Sequence, residues 1–139
     1  MSFNIGKVID DSKSADPDIR YMTLSDFYNH LQKDKALKFN ASNQERLTAV
    51  IVERLTDDTN DVKDIAIKCM TLFARAITQE STVSTILEFL RTVLLDTNKR
   101  YDIHRDIAVE VVKQVLPIFA INKDFKACFI AEFVNPLLN

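Results

Sequence analysis

The sequence is poor in the residues that turn a chain sharply, with one glycine and three prolines among 139 residues. β-Hairpins depend on tight turns that favour glycine, so this shortage argues against an antiparallel β fold. The same shortage excludes the glycine-rich loops that bind phosphate groups. Long helices with short connections need few such residues, and the plentiful Ala, Leu, Lys, Glu and Ile favour them.

Neither sign of charge is in large excess. Eighteen Lys and Arg stand against 20 Asp and Glu, which gives a formal net charge of −2. Phosphate contacts to DNA or RNA need an excess of Lys and Arg, so nucleic acid is not expected as a partner. The chain also lacks the run of about 20 apolar residues that spans a membrane, and it has no signal-peptide pattern. We therefore expect no membrane association.

Residues that carry catalysis are few and poorly spaced. His30 and His104 lie far apart, and no cysteine or carboxylate pair has the spacing of a zinc site. Cys69 and Cys128 each lie among apolar neighbours, as reduced buried thiols of intracellular proteins commonly do. The acidic pair at residues 57 and 58 lies at an inferred helix boundary, where such residues cap helices. We therefore predict no catalytic residue, no metal and no cofactor.

Three segments share one local pattern near the start of a helix: an apolar residue or its stand-in, then a basic residue, and after it an apolar residue and a small one. They begin at Ile19, Val62 and His104, so the steps are 43 and 42 residues. HEAT and armadillo repeats have a period of roughly 40 to 47 residues, with helices packed in stacked units. The spacing therefore predicts an all-α solenoid of HEAT repeats, with about three antiparallel helix pairs and an N-terminal capping helix.

The repeat spacing divides the chain, residues 1–139, into one capping segment and three units. The cap covers residues 1–15, and the units cover residues 16–58, 59–99 and 100–139. The clearest helix follows Val62, with one continuous apolar stripe and Lys63 among the residues on its other side. The stripe consists of Val62, Ile65, Ala66, Cys69, Met70, Phe73, Ala76 and Ile77.

The first and last units are less regular. The first helix has a wide apolar surface that includes Ile19 and Tyr21, which predicts packing against two partners, the second being a cap that carries Phe3. In the third unit we expect the helix to stop at Pro117, because proline removes a backbone donor. A final helix over about residues 124–134 is apolar all round. We expect the chain to be the N-terminal piece of a longer solenoid, able to self-associate through that helix.

Particular residues also resemble a known family. Residues 18–22 and 31–34 (Leu-Gln-Lys-Asp), with residues 62–69 and 101–106, resemble the N-terminal HEAT repeats of the cullin-associated and neddylation-dissociated proteins. The resemblance runs from about Ile5 to Pro117, and it is weaker in residues 36–43 and after Pro117.

This resemblance implies a protein-binding scaffold and no enzyme. Members of this family wrap around an unneddylated cullin with its RING subunit and help to exchange substrate receptors on SCF-type ubiquitin ligases. It implies contact with the C-terminal region of a cullin and its RING subunit, and a cytoplasmic and nuclear location. The open alternatives are a HEAT scaffold of another family, such as a transport or phosphatase scaffold, or a transcription-linked partner of TATA-binding protein.

The contact residues are predicted from the geometry of HEAT stacks, in which the second helix of each pair lines the concave face. Solvent-facing positions of those helices are therefore candidate protein-binding residues. They are Glu45, Glu53, Thr56, Ser84, Glu88, Arg91 and Thr92.

Overall fold

The computed structural model describes residues 4–95, 105–122 and 125–138, and every regular element in these ranges is helical. The first six helices are α1 Ile5–Asp11, α2 Pro17–Lys33, α3 Ala41–Arg54, α4 Asn60–Phe73, α5 Glu80–Leu95 and α6 Arg105–Ile121. A short 3₁₀ turn, Ala74–Ala76, follows α4. The C-terminal helix comprises α7 Lys126–Phe129, a π-helical turn Ile130–Val134 and α8 Asn135–Leu138. The all-α prediction is confirmed.

The helices form two layers. Helices α2, α4 and α6 lie side by side in one layer, and α3, α5 and the C-terminal helix lie side by side in the other. The layers meet where α3 packs on α4 and α5 packs on α6. Helix α1 contacts both α2 and α3, so it covers one end of the stack. The predicted solenoid of three helix pairs with an N-terminal cap is confirmed.

Helix α2 begins with an N-cap aspartate followed by a proline, a pattern typical of helix starts. Asp16 is the N-cap, and its carboxylate accepts a hydrogen bond from the Asp18 amide at 2.9 Å. Pro17 occupies the first helical turn, where its missing N–H costs nothing because that group has no partner within the helix. His30 and Lys33 lie in the last turn of α2, where positive charge complements the helix dipole.

The core follows the predicted apolar stripe of α4, with one exception. Val62, Cys69 and Phe73 are completely buried. Lys63 was predicted on the outer side of this helix, but it is only 7% exposed. A lysine side chain can bury its methylene stem along apolar neighbours and bring the ammonium group to the edge, which a helical pattern does not reveal.

Helix α6 does not stop at Pro117, contrary to the sequence prediction, and it continues to Ile121. Val111, Val115 and Phe119 are completely buried at successive four-residue steps on both sides of the proline. An interior proline costs a helix about 3 kcal/mol or more. Burial of an apolar side chain contributes roughly 1.5 to 3 kcal/mol, so burying several such residues outweighs the proline.

The wide apolar surface predicted for α2 is only partly covered. Leu24, Phe27 and Leu31 are buried, but Ile19 and Tyr21 are each 41% exposed. Helix α1 has only two turns and buries Val8 and Ile9, so it is too short to cover the whole surface.

Some predictions fall outside the described residues. These concern Phe3, His104 and the connection over residues 96–102. None of the helices within the described ranges has the length and apolar character to cross a membrane.

Candidate protein-binding surface

The candidate contact residues lie on α3 and α5 or at their ends, and these two helices are neighbours in one layer. Buried apolar residues fix the orientation of both helices, with Leu47 and Ile51 inward on α3 and Ile86 and Leu90 inward on α5. Of the seven candidates, four are exposed: Glu45, Glu53, Glu88 and Thr92. Three are half-buried: Thr56, Ser84 and Arg91.

Local contacts limit what several candidates can offer to a partner. The hydroxyl of Thr92 donates to the Glu88 carbonyl oxygen at 2.8 Å, and the hydroxyl of Thr56 donates to the Glu53 carbonyl oxygen at 3.2 Å. The Glu53 carboxylate lies 2.8 Å from the guanidinium of Arg54. Exposed pairs of this kind are worth under about 1 kcal/mol, so a partner can readily displace them. The surface carries three exposed carboxylates, Glu45, Glu53 and Glu88, together with the half-buried Arg91.

Ser84 is turned toward the C-terminal helix. Its Oγ lies 3.1 Å from Sγ of Cys128, which is itself only 5% exposed. Ser84 therefore contacts the C-terminal helix, which lies next to α5 in the layer. Its side chain is less accessible to an external partner than that of Glu88.

A buried ionic cluster supports one edge of this surface, and we call it the Arg20–Asp57 cluster. Arg20 donates two hydrogen bonds to the Asp57 carboxylate, at 2.9 Å from Nε and 3.0 Å from Nη2. Arg54 donates a third to the same carboxylate at 2.8 Å, and the Thr59 amide donates a fourth at 2.9 Å. The start of α2, the end of α3 and the start of α4 are thereby joined.

The Asp57 carboxyl remains ionised in this cluster. Burial alone would raise its pKa, but the hydrogen bond from Arg20, the bond from the Thr59 amide and the charges of Arg20 and Arg54 outweigh burial. The pKa of Asp57 therefore lies below the ordinary value of 3.8. Asp57 was predicted at a helix boundary, and the structure places it there as a nearly inaccessible anion that accepts a hydrogen bond from the amide of Thr59, the N-cap residue of α4.

A second buried polar residue, Gln44, links two connecting segments at the opposite edge of the surface. Its amide nitrogen donates to the Phe39 carbonyl oxygen and to the Thr78 hydroxyl, each at 2.8 Å. Its amide oxygen accepts from the backbone amides of Thr78 at 2.9 Å and Gln79 at 3.2 Å. The connection between α2 and α3 is thus held to the connection between α4 and α5. This role of Gln44 was not predicted from the sequence, although a polar residue one turn before Leu47 on the apolar stripe was a signal for it.

The remaining reactive groups are buried or isolated. Cys69 is fully buried on α4, its thiol donates to the Leu24 carbonyl oxygen at 3.2 Å, and burial raises the pKa of the thiol. Cys69 is therefore a protonated packing residue at neutral pH. Among the described residues, no group of three or more His, Cys, Asp or Glu side chains is arranged to hold a metal ion.

Comparisons with known proteins found distant relatives. No family model matches the chain. It is 30% identical over 105 residues to the "Cullin-associated NEDD8-dissociated protein 1" of Arabidopsis thaliana, over 76% of this chain and 8% of that protein. The protein of the same name is 26% identical over 99 residues in Dictyostelium discoideum, over 71% of this chain and 8% of that protein. The protein of that name in Drosophila melanogaster is 25% identical over 112 residues, which cover 81% of this chain and 9% of that protein.

The chain thus spans less than a tenth of the length of these relatives. The similarity is distant and partial, and it indicates a helical repeat region like those of the cullin-associated proteins.

Proposed function

We propose that this chain is a protein-binding scaffold that binds an unneddylated cullin together with its RING subunit. In this role it helps to regulate the assembly of SCF-type cullin–RING ubiquitin ligases and the exchange of their substrate receptors. It acts by binding, without catalysis. The observation that supports the proposal most strongly is the similarity over 71 to 81% of the chain to proteins named for association with cullins.

The fold is suited to this role. Two adjoining helices of one layer, α3 and α5, form a surface that carries Glu45, Glu53 and Glu88 exposed to solvent. Gln44 on α3 bonds to Thr78 and Gln79 just before α5, which holds these two helices together, so little conformational entropy is lost when a partner binds. The exposed carboxylates of this surface attract basic groups of a partner and repel acidic ones, which favours specificity. We therefore propose that this surface faces a basic region of the cullin's C-terminal part or of the RING subunit.

Binding to purified cullin–RING complexes, with and without the covalent neddylation of the cullin, tests the proposal directly. We expect the chain to bind the unneddylated complexes and to bind the neddylated ones at least about tenfold more weakly, a difference of 1.4 kcal/mol. Equal affinity for both forms would contradict the preference for unneddylated cullin. If neither form binds and circular dichroism shows a folded chain, the proposal of cullin association is wrong. The alternatives are then a HEAT scaffold of another family or a partner of TATA-binding protein.

The contact surface has its own test. We expect the combined change Glu45→Lys, Glu53→Lys and Glu88→Lys to weaken cullin–RING binding by about tenfold or more, because like charges at an interface repel. The matched control is Glu110→Lys, an exposed charge reversal on α6 in the other layer. Equal effects of the control and of Glu88→Lys alone would exclude the α3 and α5 surface as the contact.

We also propose a cytoplasmic and nuclear location, in keeping with a regulator of ubiquitin ligases. Fluorescence microscopy of the tagged protein at its native level tests this proposal, and retention in a membrane compartment would contradict it.

A further inference from the structure

A groove lies at the edge where the connection between α2 and α3 meets the end of α4, and we call it the loop-edge groove. Its volume is about 630 Å³. Leu37 and Leu72, both half-buried, and the buried Phe39 supply its apolar lining. This groove is separate from the α3 and α5 surface proposed above to face the cullin, because its walls are a connecting loop and the end of a helix of the other layer.

The charge around the groove is strongly one-sided. Lys35, Lys38 and Arg75 line it and are exposed, whereas Asp34 is its only acidic lining residue. Asp34 is already engaged, because its carboxylate accepts a hydrogen bond from the Ala36 amide at 3.1 Å. Within the part of the chain that the structure describes, no salt bridge joins any of the three cations to a carboxylate. The groove therefore concentrates positive charge in a chain whose net charge is −2.

The walls of the groove are held in place before any partner arrives. Gln44 bonds to the Phe39 carbonyl oxygen on one side and to Thr78 on the other. The Phe39 ring packs on Phe73, with ring centroids 5.4 Å apart, and on Phe27 at 6.3 Å. A preformed groove of this kind binds an incoming segment without the cost of ordering its own loops.

We propose that the loop-edge groove binds an acidic, amphipathic segment of a partner protein. Apolar side chains of the segment contact Leu37 and Leu72, and its carboxylates pair with Lys35, Lys38 and Arg75. Apolar burial in the groove gives affinity, and the three cations select an acidic sequence. A nucleic-acid strand fits less well, because stacking of bases needs an exposed aromatic platform and Phe39 is only 8% exposed.

The test uses a short fluorescein-labelled peptide in which Glu alternates with Leu and Phe, and fluorescence anisotropy measures its binding to the full chain. We expect saturable binding that weakens as salt is raised. The triple variant Lys35→Gln, Lys38→Gln and Arg75→Gln should lose about tenfold or more in affinity, equivalent to 1.4 kcal/mol. These three side chains are exposed, so the variant should remain folded by circular dichroism.

A second triple variant controls for general charge: Lys7→Gln, Lys13→Gln and Lys126→Gln, all exposed and outside the groove. It should bind the acidic peptide within about twofold of the parent chain, a difference of about 0.4 kcal/mol. An equal loss in both variants would overturn the proposal, as would equal binding of a peptide with Gln in place of Glu. Tighter binding of a single-stranded oligothymidine than of the acidic peptide would overturn it in favour of a nucleic-acid site. Absence of any binding by the parent chain would also reject it.

Discussion

Replacing Asp57 by alanine should cost more stability than replacing any exposed charge of the chain. The change removes the acceptor of four hydrogen bonds and leaves the guanidinium groups of Arg20 and Arg54, which are 12% and 14% exposed, without their common counter-charge. Breaking a buried ion pair by removing one partner typically costs about 3 to 5 kcal/mol. Whole domains are stable by only about 5 to 15 kcal/mol, so this one change should remove a large part of the total.

Urea unfolding at neutral pH, followed by far-ultraviolet circular dichroism, measures this loss. The neighbouring change Asp58→Ala is the matched control, because Asp58 is exposed and should alter stability by about 0.5 kcal/mol or less. Adding Arg20→Met to Asp57→Ala should restore part of the lost stability, since one uncompensated charge disappears. If Asp57→Ala costs no more than Asp58→Ala, the cluster is not an important stabilising contact and the reasoning fails.

The same cluster predicts a dependence on pH. Because the pKa of Asp57 is lower in the folded chain than its ordinary value of 3.8, the unfolded chain takes up this proton first as the pH falls. The stabilisation is therefore complete above about pH 5 and is lost as the pH drops through the lowered pKa. An Asp57→Asn variant should lack this part of the acid sensitivity, and an unchanged acid profile in that variant would contradict the assignment.

Three further outcomes are expected. Gln44→Ala should lower the free energy of unfolding in urea by about 1 to 3 kcal/mol, because it leaves buried backbone groups without partners, and a negligible change would show that solvent replaces them. A maleimide reagent should modify Cys69 of the native chain far more slowly than Cys128, because Cys69 is completely buried whereas Cys128 is 5% exposed. Rapid modification of Cys69 would contradict its burial on the inward side of α4. The chain should self-associate in sedimentation experiments through Ile130 and Leu138, which are 41% and 79% exposed, and Ile130→Lys should weaken association. A strictly monomeric parent chain would refute the third expectation.

The helices, the layers and the cap could be predicted because their signals are local. A stripe such as Val62, Cys69 and Phe73 reports directly which side of a helix is buried, and the repeat spacing of 42 to 43 residues sets two helices per unit. The prediction that the helix stops at Pro117 was wrong because it considered only the helix-breaking effect of proline. Burial of Val115 and Phe119 opposes that effect, and this burial depends on the neighbouring helices.

The supporting clusters could not be predicted for a related reason. Asp57 pairs with a residue 37 positions away, and Gln44 bonds to Thr78 across 34 positions. Nothing in the local pattern around either residue specifies such a partner. The exposure of Glu45 and Glu88 could be predicted from helical periodicity, whereas the identity of what they contact depends on the shape and charge of another molecule.

The positions of the two clusters also determine how the stack comes apart. In a repeat protein, the coupling between adjacent units decides whether they unfold together or one at a time. The bonds of Gln44 and the packing of Phe27 on Phe73 join the first helix pair to the second. The Arg20–Asp57 cluster joins the two helices of the first pair and reaches the start of α4 through the Thr59 amide. These two pairs should therefore open as one cooperative unit. In native-state hydrogen exchange, amides of α2 and α4 should exchange with a common free energy of opening, and amides of the C-terminal helix should exchange with a lower one.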